Sequence, residues 1–204
     1  MNKAHAVLCS SGWWARTVER ELLPWGLADV DLGEDVLEIG PGFGATTRVL
    51  ARRPGSLTVV ELSESYCKHL RQTLGEEVEI VQADATNIPF ANDRFSSVVC
   101  FTMLHHVPSR ALQERLLGEV RRVLRPGGVF AGTDSLGTGR AFKLLHIRDT
   151  LVPVNPDELP ARLEHAGLVE PSVEAGGRSF RFRARKPLPD TMASLPGGTV
   201  AIAG

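Results

Sequence analysis

Glu38, Glu61 and Asp84 each lie in or at the end of an apolar, partly β-branched run, and the segment Gly40-Pro41-Gly42-Phe43-Gly44 follows the first of them. Three glycines in five positions let a backbone turn sharply and approach a ligand closely. A helix starting behind such a loop directs unpaired N–H groups at whatever the loop holds. Carboxylates add a second kind of recognition. Glu61 offers acceptors for a ribose diol, and Asp84 stands where an adenine amino group could donate a hydrogen bond. The remaining groups with chemistry are imidazoles. His105 and His106 follow an apolar run, and His146 lies in "FKLLHIRDTL"; each titrates near neutrality and is a candidate general base, with a structural role an equal alternative for any one of them.

Strands and helices must alternate to bring these groups together. "DVLEIG" reads as a buried strand, and "ATTRVLARR" as a helix with Thr46 or Thr47 as a cap. "SLTVVEL" is a second strand. "SESYCKHLRQTLG" is a helix with Ser63 as N-cap and Gly75 as stop. "VEIVQAD" and "RFSSVVCFTML" are the third and fourth strands. In "SRALQERLLGEVRRVLRPGG" the residues Leu112, Leu116, Val120, Val123 and Leu124 share a helical face, and Pro126 and Gly127 end it; "VFAGTD" is the fifth strand. Strands separated by helices cannot pair as hairpins, which predicts a doubly wound, mostly parallel α/β sheet covered on both faces.

The final third breaks the rhythm. "NPDELPARLEHAGL" is a short helix with Asn155 as N-cap and Pro156 in the first helical position. "VEPSVEAGGRSFRFRARKP" is a hairpin around Gly176 and Gly177, in which Phe180 and Phe182 pack and Arg181, Arg183 and Arg185 meet water. Residues 187–204, rich in Pro and Gly, read as a tail.

Ligands of a doubly wound sheet sit at the carboxyl ends of its strands, where strand order reverses. Gly40-x-Gly42-x-x-Ala45 satisfies a loose dinucleotide fingerprint, so a nicotinamide cofactor and an NAD(P)-dependent oxidoreductase stay open on the glycines alone. Three acids, however, repel a pyrophosphate. They suit a ligand with a positive charge, an ammonium group and a ribose diol, all of which S-adenosyl-L-methionine carries. "LEIGPGFGATT", "VVELSESY", "QADATNIPFANDRFSSVV", "LHHV" and "LRPGG", in this order, resemble the class I S-adenosylmethionine-dependent methyltransferases, in particular a small bacterial group, over roughly Leu32 to Asp134. The resemblance implies a Rossmann-like sheet with an antiparallel last strand, and S-adenosyl-L-homocysteine as product. It also implies that Glu38 and the Gly40, Pro41, Gly42, Gly44 loop hold the methionine end, that Glu61 with Leu62 meets the ribose, and that Asp84 and the Ala85 N–H meet the adenine. The carbonyl of Phe101 is then the partner of the methionine ammonium. Pro41 and Phe43 depart from the family's loop pattern. A noncatalytic protein that has kept the cofactor pocket is a further alternative.

Composition limits the partners. The 204 residues carry a net charge of -1 and 43% hydrophobic side chains, which fits one domain of 1–186 with no general field for nucleic acid or membrane. Cys9, Cys67 and Cys100 are read as reduced, packed thiols, no metal site is expected, and with no leader or span apparent a cytoplasmic monomer or homodimer is expected. Within the domain, residues 1–31 are expected to form a helical lid and 32–134 the cofactor core. Residues 135–186 supply an acceptor insert, a helix and the hairpin. "SSGWWARTVERELLPWGL" should be an amphipathic helix ending near Pro24, with Trp13, Trp14 and His106 lining a pocket for a small, partly hydrophobic acceptor.

Overall fold

A computed structural model describes residue 7 and residues 9–137 and 150–189. β1 (Asp35–Ile39), β2 (Ser56–Glu61), β3 (Glu79–Gln82), β4 (Phe95–Phe101) and β5 (Leu124–Ser135) are joined by parallel pairings. β6 (Val169–Gly176) and β7 (Ser179–Arg185) form the expected hairpin, and β7 adds to β5 antiparallel. The sheet order is β3-β2-β1-β4-β5-β7-β6. The chain runs outward from β1 to β3 and then returns to β4 on β1's other side. The carboxyl ends of β1 and β4 therefore flank the crevice that strand reversal opens.

The central strands alternate their side chains between two cores. Leu37, Ile39, Val98, Cys100 and Phe130 face α5 (Arg110–Val123) and α6 (Leu159–His165). Val36, Val59, Val99, Phe101 and Ala131 face the other helices, α3 (Ala45–Leu50) and α4 (Glu64–Leu74), and the helical segment that precedes β1. The alternation also buries Phe180, Phe182 and Ala184 of β7, whereas Arg183 and Arg185 are exposed.

That first helical segment differs from expectation. It runs as α1 (Gly12–Thr17), one π-helical stretch (Val18–Leu22) and α2 (Leu23–Gly26), so it passes through Pro24 instead of stopping there. Leu23 donates its N–H to the Val18 carbonyl five residues back, and this wider turn makes room for the proline ring, which lacks an N–H. Val18 and Leu23 are buried in the core, and Gly26 lies so close to Thr133 that a Cβ would fall 2.6 Å from its methyl group. Residues 18–26 are thus built into the fold.

Three other boundaries move. α3 is capped by Gly44, in the left-handed region at φ 74°, and Thr46 and Thr47 lie inside the helix. α6 starts at Leu159; Asn155 closes a turn just ahead of it by accepting from the Asp157 N–H at 3.0 Å. β5 begins at Leu124, immediately after α5, with an irregularity in its pairing before Val129 resumes the register opposite Ser97. No helix among the described residues is long and apolar enough to cross a membrane.

Candidate active site

A cavity of about 570 Å³ opens at the carboxyl ends of β1, β2 and β4. A space of this size suits a nucleoside-sized ligand with a second small molecule. Its floor is the glycine loop. Gly40, Gly42 and Gly44 all have positive φ, at 64°, 57° and 74°. Gly40 is hemmed in by Met103, whose Cγ would lie 2.4 Å from an added Cβ, while a Cβ on Gly42 would meet nothing within 4 Å. Gly42 is therefore the point where the loop backbone is bare toward the cavity. The loop is held by the Gly40 N–H to the Val60 carbonyl at 2.9 Å and by Arg48 Nη1 to the Phe43 carbonyl at 3.1 Å.

Glu61 ends β2 on the cavity wall, 7% exposed. Its Oε2 accepts from the Gly42 N–H at 3.2 Å and its Oε1 from the Ser63 N–H at 2.8 Å, so one carboxylate ties the glycine loop to the start of α4. Asp84 and Ala85 line the next stretch, and Asp84 Oδ1 accepts from the Thr86 N–H at 2.8 Å, closing its own loop. Phe101 and Thr102 follow on β4. Thr102 has φ 51°, which is rare for a β-branched residue, and its N–H is held by the Thr133 carbonyl at 2.8 Å.

Glu38 occupies a different place. It is 1% exposed, lies behind the cavity wall, and touches the site through Thr46, whose hydroxyl donates to its Oε1. Oε2 has no hydrogen-bond partner among the described residues. Burial pushes the Glu38 carboxyl up to about 7 from 4.5, against the lowering by the Thr46 hydroxyl. The wall proper thus carries two carboxylates, with a third behind it whose burial favours the neutral form. Gly44 likewise supports the loop without lining the cavity, and its added Cβ would strike Leu70.

The two histidines separate. His105 is 2% exposed and pairs through Nδ1 with Asp134 Oδ1, so it does not reach the cavity as a candidate base. His106 lines the cavity, with its Nδ1 3.2 Å from the Thr150 carbonyl. His146 lies outside the described residues. The tryptophans separate in the same way: Trp14 lines the cavity with Cys9, whereas Trp13 is 59% exposed and does not line it. Burial raises the Cys9 thiol to about 11, which keeps it protonated. Leu62 is 68% exposed at the rim.

Sequence reasoning passed over Tyr66, Met103 and Val107 on the wall. Tyr66 was legible as part of the helix after Glu61, and its ring meets that of Phe43 at 4.9 Å, which pins the aromatic residue of the loop against α4. Met103 and Val107 come from the irregular turn after β4, which has no period to read.

The strand order, the terminal hairpin and the acid-rimmed glycine loop define a Rossmann-like class I methyltransferase architecture. Residues 37–132 match the family model described as "Methyltransferase domain". The fatty-acid O-methyltransferase of Mycolicibacterium smegmatis is 38% identical over 113 residues, 53% of this chain and 39% of that protein. The methyltransferase GfsG of Streptomyces halstedii is 30% identical over 156 residues, 69% of this chain and 54% of that protein. The chain therefore spans about half or less of the curated relatives it matches here. In fold, a solved S-adenosylmethionine-dependent methyltransferase of Thermotoga maritima, described as a possible histamine N-methyltransferase, aligns with a TM-score of 0.69 at 19% identity, over 89% of this chain and 98% of that one. Over residues 37–132 the chain is similar to the methyltransferase-domain family, and its fold is that of solved S-adenosylmethionine-dependent methyltransferases.

Proposed function

We propose that this chain transfers a methyl group from S-adenosyl-L-methionine to a small, partly hydrophobic acceptor. The observation that carries the choice of cofactor is the charge of the wall. Glu61 and Asp84 line it, and no lysine or arginine does so among the described residues. A pyrophosphate would meet two carboxylates with no cation to offset them, whereas a sulfonium and an ammonium are attracted to them. The bare Gly42 backbone fits the same ligand, because it admits a close approach where any side chain would intrude.

When bound, S-adenosyl-L-methionine supplies a methyl group activated by the sulfonium for in-line displacement. In this reading Glu61 and Leu62 hold the ribose, Asp84 and Ala85 the adenine, and Gly40, Pro41 and Gly42 the methionine end, with the Phe101 carbonyl facing the ammonium. Glu38 and Gly44 act by shaping the loop. Water is excluded by Trp14, Met103, Val107 and Leu112, which form an apolar wall on the acceptor side. That wall suits an acceptor with a hydrocarbon part, and the name of the Mycolicibacterium relative, a fatty-acid O-methyltransferase, agrees with such chemistry.

Calorimetry with S-adenosylmethionine, S-adenosylhomocysteine and NAD tests the cofactor. Binding of the first two without the third is the expected result, and NAD binding alone would replace this reading with an oxidoreductase. Transfer of a labelled methyl group to components of a cell extract then separates an enzyme from a protein that only binds the cofactor.

A further inference from the structure

Gln113 is buried near the start of α5 and is not on the cavity wall, whereas its helix neighbours Leu112 and Leu116 line it. Its amide joins three segments of chain. Nε2 donates to the Leu104 carbonyl at 3.1 Å and to the Val152 carbonyl at 3.0 Å, and Oε1 accepts from Arg162 Nη2 at 2.8 Å. A guanidinium only donates, so Arg162 fixes which end of the amide is oxygen and turns both amide protons toward the two carbonyls. Arg162 comes from α6, is itself buried, and has its charge met by Glu114 Oε1, 2.6 Å from its Nε. A buried amide is costly when a bond is left unmade, and here both donors and the oxygen have partners.

The two carbonyls belong to parts of the chain that form the acceptor side of the cavity. Leu104 opens the short turn Leu104–His106 after β4, which carries His106 to the wall. Val152 lies in the irregular segment 150–154 ahead of α6, which brings Thr150 to the wall. The turn has an anchor of its own, because Asp134 of β5 accepts the His105 N–H through Oδ2 at 3.0 Å and pairs with the ring through Oδ1. The segment joins no strand of the sheet among the described residues. Its main chain is fastened at Val152, where the N–H donates to the His105 carbonyl at 2.8 Å and the carbonyl accepts from Gln113.

Resting on the methyltransferase reading above, we infer that Gln113, oriented by Arg162, is a positioning residue that sets the acceptor end of the cavity: it clamps the segment 150–154 to the turn after β4 and so fixes how far the wall opens between Thr150 and His106. The amide acts through main chain and stands off the wall. Gly42, Glu61 and Asp84 follow β1, β2 and β3, so releasing the clamp widens the acceptor end and leaves the cofactor end as it is. What Gln113 controls is the size of the apolar body that fits, not the chemistry of transfer.

Gln113→Glu in the full chain tests this. It keeps the size of the side chain and the bond to Arg162, and puts an oxygen where the amide donated to two carbonyls. By NMR, the Val152 amide should exchange with deuterium about tenfold or more faster, while amides in the middle of α5 such as Val120 keep their wild-type rates. S-adenosylhomocysteine affinity should change less than about twofold, since the clamp shares no partner with the cofactor end. N-phenyl-1-naphthylamine, a neutral apolar fluorophore, is bound to the S-adenosylhomocysteine-loaded protein and displaced by 1-hexanol or 1-decanol. In Gln113→Glu the longer alcohol should gain on the shorter by about fourfold, the worth of a further buried methylene. Arg162→Met, which no longer orients the amide, should shift exchange and alcohol preference the same way; wild-type exchange at Val152 there would remove Arg162 from the clamp. If Gln113→Glu does not fold, Gln113→Met, which keeps the volume without the donors, carries the same expectations. Unchanged Val152 exchange overturns the inference, as does a uniform rise across α5 and α6, the mark of a merely structural loss. An unchanged alcohol preference, or a wild type that does not bind the fluorophore, overturns the link to acceptor fit. Failure of the wild type to bind S-adenosylhomocysteine faults the cofactor reading instead, and the exchange at Val152 still judges the clamp.

Discussion

The Gly42 N–H donates to Glu61 Oε2 across 3.2 Å, joining the bare point of the glycine loop to the acid that ends β2. The residue that would meet a ribose therefore also shapes the loop that would meet the methionine end. Glu61→Ala removes both functions and should weaken S-adenosylhomocysteine binding by about 1.5 to 3 kcal/mol, the range for loss of a charged acceptor. Glu61→Gln keeps an acceptor for one of the two backbone donors and should fall between. Calorimetry on both variants checks this, and an unchanged affinity in folded Glu61→Ala would put the ribose elsewhere.

Gly42 and Gly40 should respond differently to a side chain. Gly42→Val places its side chain in open space, so the protein should fold with a loss of about 1 to 2 kcal/mol from the left-handed backbone, and lose cofactor binding. Gly40→Val drives into Met103 and should lower the melting temperature further. Paired thermal melts and calorimetry separate the two, and retained binding in Gly42→Val would sink the loop assignment.

The helical segment before β1 has two ends with different duties. A detachable lid would leave a folded domain when Met1 to Leu27 are removed. With Val18 and Leu23 in the core, the truncated protein should instead be destabilised or aggregate. Leu23→Ala alone should cost about 2 to 4 kcal/mol. Trp14→Ala, which alters a residue on the cavity wall that also packs against the core, should change acceptor turnover and lower the melting temperature less than Leu23→Ala does. Full stability after truncation would return the segment to the status of a detachable cover.

Glu38 should make the unliganded protein's stability depend on pH. Its carboxyl is raised from 4.5 to about 7 in the folded state by burial, so between those values the folded chain binds more protons than the unfolded one. Stability contributed by the protonated form is present at low pH and declines as pH rises through this window, by on the order of 3 kcal/mol in all. Glu38→Gln removes the titration and should flatten the curve. Denaturant melts at pH 5 and pH 7.5 measure it, and equal slopes in wild type and variant would show that Glu38 stays ionised.

Much of the architecture was legible because it rests on local pattern. Short β-branched runs between amphipathic helices demand a parallel sheet, and that sheet brings the ends of "DVLEIG", "SLTVVEL" and "VEIVQAD" to one edge, which is why Gly42, Glu61 and Asp84 share a cavity. What spacing did not convey was which way a side chain turns and what distant partner it finds. Glu38 has the alternation of a strand residue, but only the packing of α3 against β1 places Thr46 over it and hides it from the cavity. The run around Pro24 lacks a local stop because the core holds Val18, Leu23 and Gly26 firmly enough to carry a helix through a proline. His105 and His106 are identical in type and adjacent in position. Asp134, 29 residues beyond His105, decides that one is buried and the other faces the cavity. Composition and period determine where the chain becomes strand or helix, because those preferences are summed over neighbours in sequence. Burial and pairing are summed over neighbours in space, and for these residues only the folded structure says who those neighbours are.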